Sequence, residues 1–174
     1  IEMFSTGLGE HDKTPVFYYT PGRGCGVNCS FCGGSRISHR IINNRREVAL
    51  TDTKSAAEDL SKISRYNISK VNVCFDPFPD STYYIRLFRA LSKKNIKLCM
   101  DFECFRLPSK KFIDQFARSF NAQSSITISP ESGSEKVRIR NKGMYYSNAE
   151  LFGALAYLHK KKIKVEENIS FRDS

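Results

Sequence analysis

Apolar residues recur along this chain with two periods, about 2 residues and about 3.6, and the way these take turns predicts strands alternating with helices. The first strand is predicted at Pro15 to Thr20 and is broken by Pro21-Gly22. After a long connection to Leu50, Thr51 or Asp52 caps a helix whose apolar face is Ala56, Ala57, Leu60 and Ile63. A strand from Lys70 to Asp76 ends at Pro77 and Pro79, and Asp80 or Ser81 caps a helix bearing Tyr84, Leu87, Phe88 and Leu91. A third strand is predicted over Ile96 to Phe102, and Pro108-Ser109 opens a helix carrying Phe112, Ile113, Phe116 and Phe120. The fourth strand spans Ser124 to Ser129, and Ser132 with Glu135 matches a capping box. Ser147 or Asn148 begins a helix with Leu151, Ala154, Leu155 and Leu158 inward, and Lys164 to Phe171 is the last strand.

Such alternation marks successive βαβ crossovers and a parallel sheet. Five strands are fewer than the eight of a closed barrel, so the expected fold is α/β, a partial, open parallel β/α barrel that is TIM-barrel-like. Strand parity adds a second expectation. Val71 and Val73 alternate with Asn72, Cys74 and Asp76, Met100 and Phe102 with Cys99, Asp101 and Glu103, and Ile126 and Ile128 with Ser125, Thr127 and Ser129. A parallel sheet covered on both faces reads as continuous hydrophobics, so one face of this sheet lines a polar lumen. Buried there without partners, these groups would cost about 1 to 3 kcal/mol each, so the lumen is expected to hold water or a polar ligand.

With 174 residues, 40% of them hydrophobic, the chain can form one core, read as an N-terminal arm at 1–14 and a domain at 15–174. No apolar run approaches the ~20 residues that span a bilayer, which excludes a membrane helix. Without a secretory segment the six cysteines are expected in a reducing cytoplasm. The first residue is Ile1, and the chain is read as a piece of a longer protein. The formal charge of +10 invites RNA as a partner. However, clusters such as Lys93-Lys94 and His159 to Lys162 fall where helices end, and cations there complement the helix dipole. A solvated basic surface, with Arg45-Arg46 as a further cluster, is the favoured reading.

Chemistry concentrates in the loop after the first strand, where Cys25, Cys29 and Cys32 are spaced C-x3-C-x2-C and surrounded by glycine. Three thiolates can converge on one metal centre, and a cubane iron-sulfur cluster ordinarily takes four. One iron would keep an open position, the condition for chemistry rather than structure. A zinc site of the three cysteines and His39 in a basic nucleic-acid-binding module is an alternative, and a non-catalytic electron-transfer cluster is another. A disulfide framework would leave one of the three thiols unpaired.

This loop, with Phe31 just before its last cysteine, resembles the cluster loop of the radical S-adenosylmethionine (radical SAM) enzymes. The flanks T-P-G-R-G-C and F-C-G-G-S, with S-P-E-S-G-S-E at 129–135 and Arg138, are most similar to the cobalamin-associated branch. The resemblance spans residues 15 to 171. It implies a six-strand partial barrel and a 4Fe-4S cluster on Cys25, Cys29 and Cys32. It also implies S-adenosylmethionine chelating the open iron, and one-electron cleavage of the sulfonium to a 5'-deoxyadenosyl radical. Cobalamin through a domain not present, and a reductant such as flavodoxin or ferredoxin, belong to the same implication.

The resemblance further implies roles for single residues. Gly33 and Gly34 would admit backbone to the nucleotide. Asp76 stands where the family often has a glycine-rich acidic segment that receives the methionine amino group, a departure that leaves Asp76 either as an anionic acceptor or as a turn cap. Ser129 and Glu131 resemble the positions that meet the ribose and amino group, and Arg138 the arginine that pairs the methionine carboxylate. On the substrate side Asp101 and Glu103 are candidates from lumen parity, and Cys104 from its place at a strand's C-terminal end, whereas Cys74 and Cys99 are expected to pack.

Overall fold

In the computed structural model, described for residues 15–66, 68–76, 82–143 and 145–167, five parallel strands form one sheet. They are β1 (Val16–Tyr18), β4 (Lys70–Val73), β5 (Met100–Cys104), β6 (Ser125–Ile128) and β7 (Lys164–Glu167), side by side in that order. The sheet is not closed into a barrel. Helices α2 (Thr53–Ile63), α3 (Tyr83–Lys93), α4 (Lys110–Ser119) and α6 (Asn148–Lys160) make the crossovers, and the short α5 (Glu135–Asn141) precedes α6. The N-terminal arm, the caps Asp80 and Ser81, and the last strand beyond Glu167 lie outside the described residues.

Helix faces fall where the apolar pattern puts them. Ala56, Ala57, Leu60 and Ile63 of α2 are buried, as are Tyr84, Leu87, Phe88 and Leu91 of α3 and Phe112, Ile113 and Phe116 of α4. They meet the apolar side of β4 and β5, where Val71, Val73, Met100 and Phe102 are buried. Phe88 is the hub of an aromatic cluster that Phe102 joins from the sheet, its ring 4.5 Å from Tyr84 and 5.1 Å from Phe112, both edge to face. Edge-to-face contacts add to what area burial alone contributes. Asp52 caps α2 and Ser109 caps α4, its hydroxyl accepting from the Phe112 N–H at 3.2 Å. Ser109→Ala is expected to lower unfolding free energy by about 1 kcal/mol in a urea titration monitored by circular dichroism.

Several boundaries differ from the sequence reading. The third strand begins at Met100 rather than Ile96, since the preceding residues leave α3 through a turn with Asn95 at positive φ. The connection to Leu50 contains a helix, α1 (Arg36–Asn43), and a small antiparallel pair of β2 (Gly22–Arg23) with β3 (Ala49–Leu50). That pair fixes the start of the cysteine loop against β4. A Cβ on Gly22 would lie 2.5 Å from the Ala49 carbonyl oxygen and 2.7 Å from the Phe75 ring. The capping box predicted at Ser132 and Glu135 does not form. Ser134 is the N-cap of α5 and Glu135 instead accepts from the Asn148 N–H and the Tyr145 hydroxyl, while the complete box belongs to Ser147 and Glu150.

Candidate active site

The cysteine loop leaves the C-terminal end of β1 and folds over that end of the sheet. It is tied internally by the Arg36 N–H donating to the Val27 carbonyl at 2.8 Å and the Ile37 N–H to Asn28 Oδ1 at 3.0 Å. From the other side the α5–α6 connection grips it, with Ser30 donating backbone N–H to the Asn141 carbonyl and hydroxyl to Asn141 Oδ1. Cys25 and Cys29 are half-buried and Cys32 is exposed. All three line one cavity of about 460 Å³ with Gly34, His39, Phe75, Asp76, Glu131 and Lys142 among its walls.

Two of the sulfurs accept backbone hydrogen bonds, Cys29 Sγ from the Gly143 N–H at 3.2 Å and Cys32 Sγ from the Gly34 N–H at 3.4 Å. Hydrogen bonds of this kind stabilise charge on a thiolate and tune a cluster it holds. Burial pushes the Cys25 thiol up, and the neighbouring Cys29 and Cys32 add to the rise against the opposing N–H groups of Val27 and Gly26. A ligating thiol must lose its proton. Because the Cys25 pKa is raised, iron-sulfur loading is expected to increase as pH rises toward that thiol's range, read as iron bound per chain after anaerobic reconstitution at a series of pH values.

Among the described residues no three or more His, Cys, Asp or Glu side chains are gathered around one ion position. A cubane asks for something different, one thiolate at each of three separate irons, so its ligands stand further apart than those of a single zinc. Three thiols face one cavity, and backbone donors already stand on two of the sulfurs. His39 lines the same cavity, and its Nδ1 lies 3.1 Å from Asn43 Nδ2.

The remaining predicted residues separate into groups. Asp76 and Glu131 reach the cavity wall with the cysteines. Asp76 is buried and paired, Oδ1 lying 3.2 Å from the Arg106 guanidinium while Oδ2 accepts from the Arg106 N–H at 3.4 Å. Burial raises its carboxyl and Arg106 opposes the rise. Glu131 is held at φ 69°, a left-handed conformation unusual for its type. Ser129 contributes its carbonyl, which accepts from Lys142 Nζ. Gly33 faces open space and is not on the wall, in contrast to Gly34.

Arg138 lies outside the cavity wall. Its guanidinium is almost wholly buried and donates to the Ser132 carbonyl at 2.6 Å, to the Tyr146 carbonyl at 3.3 Å and to Asn148 Oδ1. It clamps the turn after β6 to the start of α6. Arg23 and Arg45 reach the wall from the cysteine-loop side, and Lys142, four residues on from Arg138, reaches it as a buried amine pushed down by desolvation and pulled up by Glu131 and Cys29. Lys142 and Gly143 escape a reading by helix periodicity because they stand just past a short helix. The N-K-G run at 141–143 is the turn signal that marks them.

Below the cavity the lumen is partly satisfied by the protein itself. Asp101 pairs with Lys70 Nζ at 2.7 Å and accepts from the Ser125 hydroxyl, so this carboxylate needs no ligand. Glu103 lies one layer closer to the cysteines and accepts from the Cys74 thiol at 3.2 Å. That thiol, which also points to Asn72 Oδ1 at 2.8 Å, is pushed up to about 12 by burial and by Glu103. Cys104 is corrected. It shares parity with Met100 and Phe102, lies buried in the apolar core on the helix side of β5, and burial drives its thiol well above the usual range. No helix among the described residues is long and apolar enough to cross a membrane.

A sequence model of the Radical SAM superfamily matches residues 19–171. A search of curated proteins finds no match.

Proposed function

This chain belongs to the radical SAM superfamily, and from that premise we propose that it is the core of an enzyme that binds a 4Fe-4S cluster on Cys25, Cys29 and Cys32 and cleaves S-adenosylmethionine. The observation that carries the reading is the shared cavity, where three thiols face the carboxylates of Asp76 and Glu131 and the cations of Arg23, Arg45 and Lys142. When bound, the cluster supplies the single electron that breaks the sulfonium bond. The chain's own residues hold and orient. Glu131 offers an anionic acceptor for the amino group of a methionine moiety, Asp76 a second whose charge Arg106 partly offsets, and Lys142, with Arg23 and Arg45, offers cations for its carboxylate. Contact with a carboxylate would raise the Lys142 pKa back toward its ordinary value. Arg138, each of its three guanidinium nitrogens already donating within the protein, acts as a positioning residue that fixes the backbone from which Glu131 and Lys142 project.

Glu103, which accepts from the Cys74 thiol on the lumen face of β5, is the substrate-side carboxylate we favour over Asp101, which Lys70 already neutralises. The T-P-G-R-G-C and S-P-E-S-G-S-E runs support a place in the cobalamin-associated branch, with cobalamin carried by another part of the intact protein and methyl transfer or a radical rearrangement as the reaction. The test is anaerobic reconstitution followed by electron paramagnetic resonance of the reduced protein with and without S-adenosylmethionine. A reduced 4Fe-4S signal whose shape changes with the sulfonium compound is expected. Tight zinc, no cluster and no spectral response would sink the proposal.

A further inference from the structure

Arg36, Arg40 and Arg46 line one surface pocket of about 380 Å³, beside Ile37. Arg36 and Arg40 stand one turn apart on α1, and the chain returns with Arg46 after the left-handed turn at Asn44 that ends the helix. Among the described residues none of these three guanidinium groups has a hydrogen-bond or ion-pair partner, whereas Arg89, Arg106 and Arg138 each reach an acceptor of the chain itself. Like charges one turn apart on a helix oppose it. Helix α1 has no acidic residue in its first turn and buries no side chain whose packing would offset that repulsion. Such an arrangement is stabilised by an anion from outside the chain.

The donors in the pocket select the kind of anion. Backbone amides at the start of α1 are already used, the Arg36 N–H donating to the Val27 carbonyl, the Ile37 N–H to Asn28 Oδ1 and the Ser38 N–H to Ser35 Oγ. What remains are three guanidinium forks, planar, permanently charged and suited to binding an oxyanion through two parallel hydrogen bonds. A carboxylate, with two oxygens and one charge, is satisfied by one fork. A phosphate monoester presents three oxygens and a charge of about −1.5 to −2, which match three forks around one pocket. A nucleic-acid strand spreads its charge over many phosphodiesters and is gripped along a basic groove with aromatic platforms for its bases. Here the neighbour is an isoleucine. The volume falls at the small end of the roughly 300 to 1,000 Å³ of small-molecule sites.

We propose that Arg36, Arg40 and Arg46 form a binding site for the phosphate monoester of a small phosphorylated molecule. The site lies close to the cysteine cavity in sequence, since His39 of α1 and Arg45 line that cavity, but the two share no lining residue. It therefore anchors a charged group outside the cavity, and no bond is made or broken in it. Nothing in it depends on the cluster.

Glycerol 3-phosphate is the probe, titrated into the unmodified chain by calorimetry at low ionic strength, with glycerol as the uncharged comparison. Hydrogen exchange of the amides at 36–43 is read with and without the probe. Saturable binding is expected, with slower exchange along α1, a helix too short to be stable by itself. The combined variant Arg36→Gln, Arg40→Gln, Arg46→Gln is expected to lose about tenfold or more in affinity. Its circular dichroism should not change, because α1 contributes no buried residue. Lys93→Gln with Lys94→Gln removes charge from a different helix end and should leave the affinity little changed. Absence of saturable binding would overturn the proposal. Equal weakening in the arginine and lysine variants would also overturn it, by showing diffuse attraction to a basic chain. Unslowed exchange in α1 would place the ligand elsewhere and have the same consequence. A short RNA oligonucleotide without a terminal phosphate that binds more tightly than glycerol 3-phosphate and is lost in the arginine variant would make this surface a nucleic-acid contact instead.

Discussion

Alanine at Cys25, Cys29 or Cys32, each alone, is expected to bring reconstituted iron from about four per chain to a small fraction of that and to reduce S-adenosylmethionine cleavage to background. Each thiolate would hold a different iron, so loss of one leaves a second iron without a protein ligand, and a cluster with two open corners is not retained. The half-buried Cys25 and Cys29 and the exposed Cys32 should not differ in this respect. Partial loading of the Cys32 variant would show that its position is less strictly required. His39→Ala is the discriminating companion. His39 shares the cavity, so in a three-cysteine, one-histidine zinc site its loss would empty the metal. In the cluster reading iron content and the response to S-adenosylmethionine survive. Iron, sulfide and zinc analysis of the four variants, with absorbance and electron paramagnetic resonance, decides. Full cluster in any of the cysteine variants, or loss of metal in His39→Ala, would falsify the assignment.

Where the fold was legible, it was legible through burial. The apolar stripes of α2, α3 and α4 are the residues that the sheet covers, because a helix with one apolar face has only one way to hide it. Alternation in β4 and β5 separated core from lumen for the same reason, and carried two residues past Phe102 it also takes Cys104 off the substrate side. Signals failed where burial does not act. Helix α1 hides nothing, and its one helical signal, the Ser35 cap before Ile37 and Ile41 at i, i+4 spacing, is too short to stand out, while the N-terminal boundary of β5 depends on a turn at Asn95 rather than on hydrophobicity.

The candidate site divides along the same line. Cysteine spacing is local, and the loop brings its three thiols to one cavity. The positive wall is local only in part, since Arg23 and Arg45 come from the loop and its return while Lys142 comes from the far end of α5. Arg138 and Lys142 are separated by one helical turn, both basic and both buried, and only the direction of each side chain decides which faces the cavity and which is tied to carbonyls. A guanidinium suits a carboxylate by its planar fork, but that fork suits backbone carbonyls of a tight turn as well, and the turn at 129–134 uses it. Closeness of the α5–α6 connection to the cysteine loop is also a tertiary fact, with more than a hundred residues between Ser30 and Asn141.

That closeness makes Gly143→Ala the second large effect. A Cβ at this position would sit 2.5 Å from Asn28 N, 2.8 Å from Asn28 C and 2.9 Å from Cys29 N. All three are backbone atoms, so no side chain can swing aside, and either the cysteine loop or the α5–α6 connection must move. Overpacking of this sort costs about 1 to 3 kcal/mol or more. The displacement acts directly on the cysteine loop, since the Gly143 N–H donates to Cys29 Sγ and nearby Asn141 holds Ser30. The sheet and its aromatic cluster lie elsewhere, so far-ultraviolet circular dichroism should stay close to that of the unmodified chain while iron loading falls severalfold and the melting temperature drops. Gly153→Ala is the control. A Cβ there meets nothing within 4 Å on helix α6, and replacing a mid-helix glycine by alanine should stabilise by roughly 0.5 to 1 kcal/mol without touching iron content. Unchanged melting and full iron loading in Gly143→Ala would show that the two segments do not bear on each other as this packing requires.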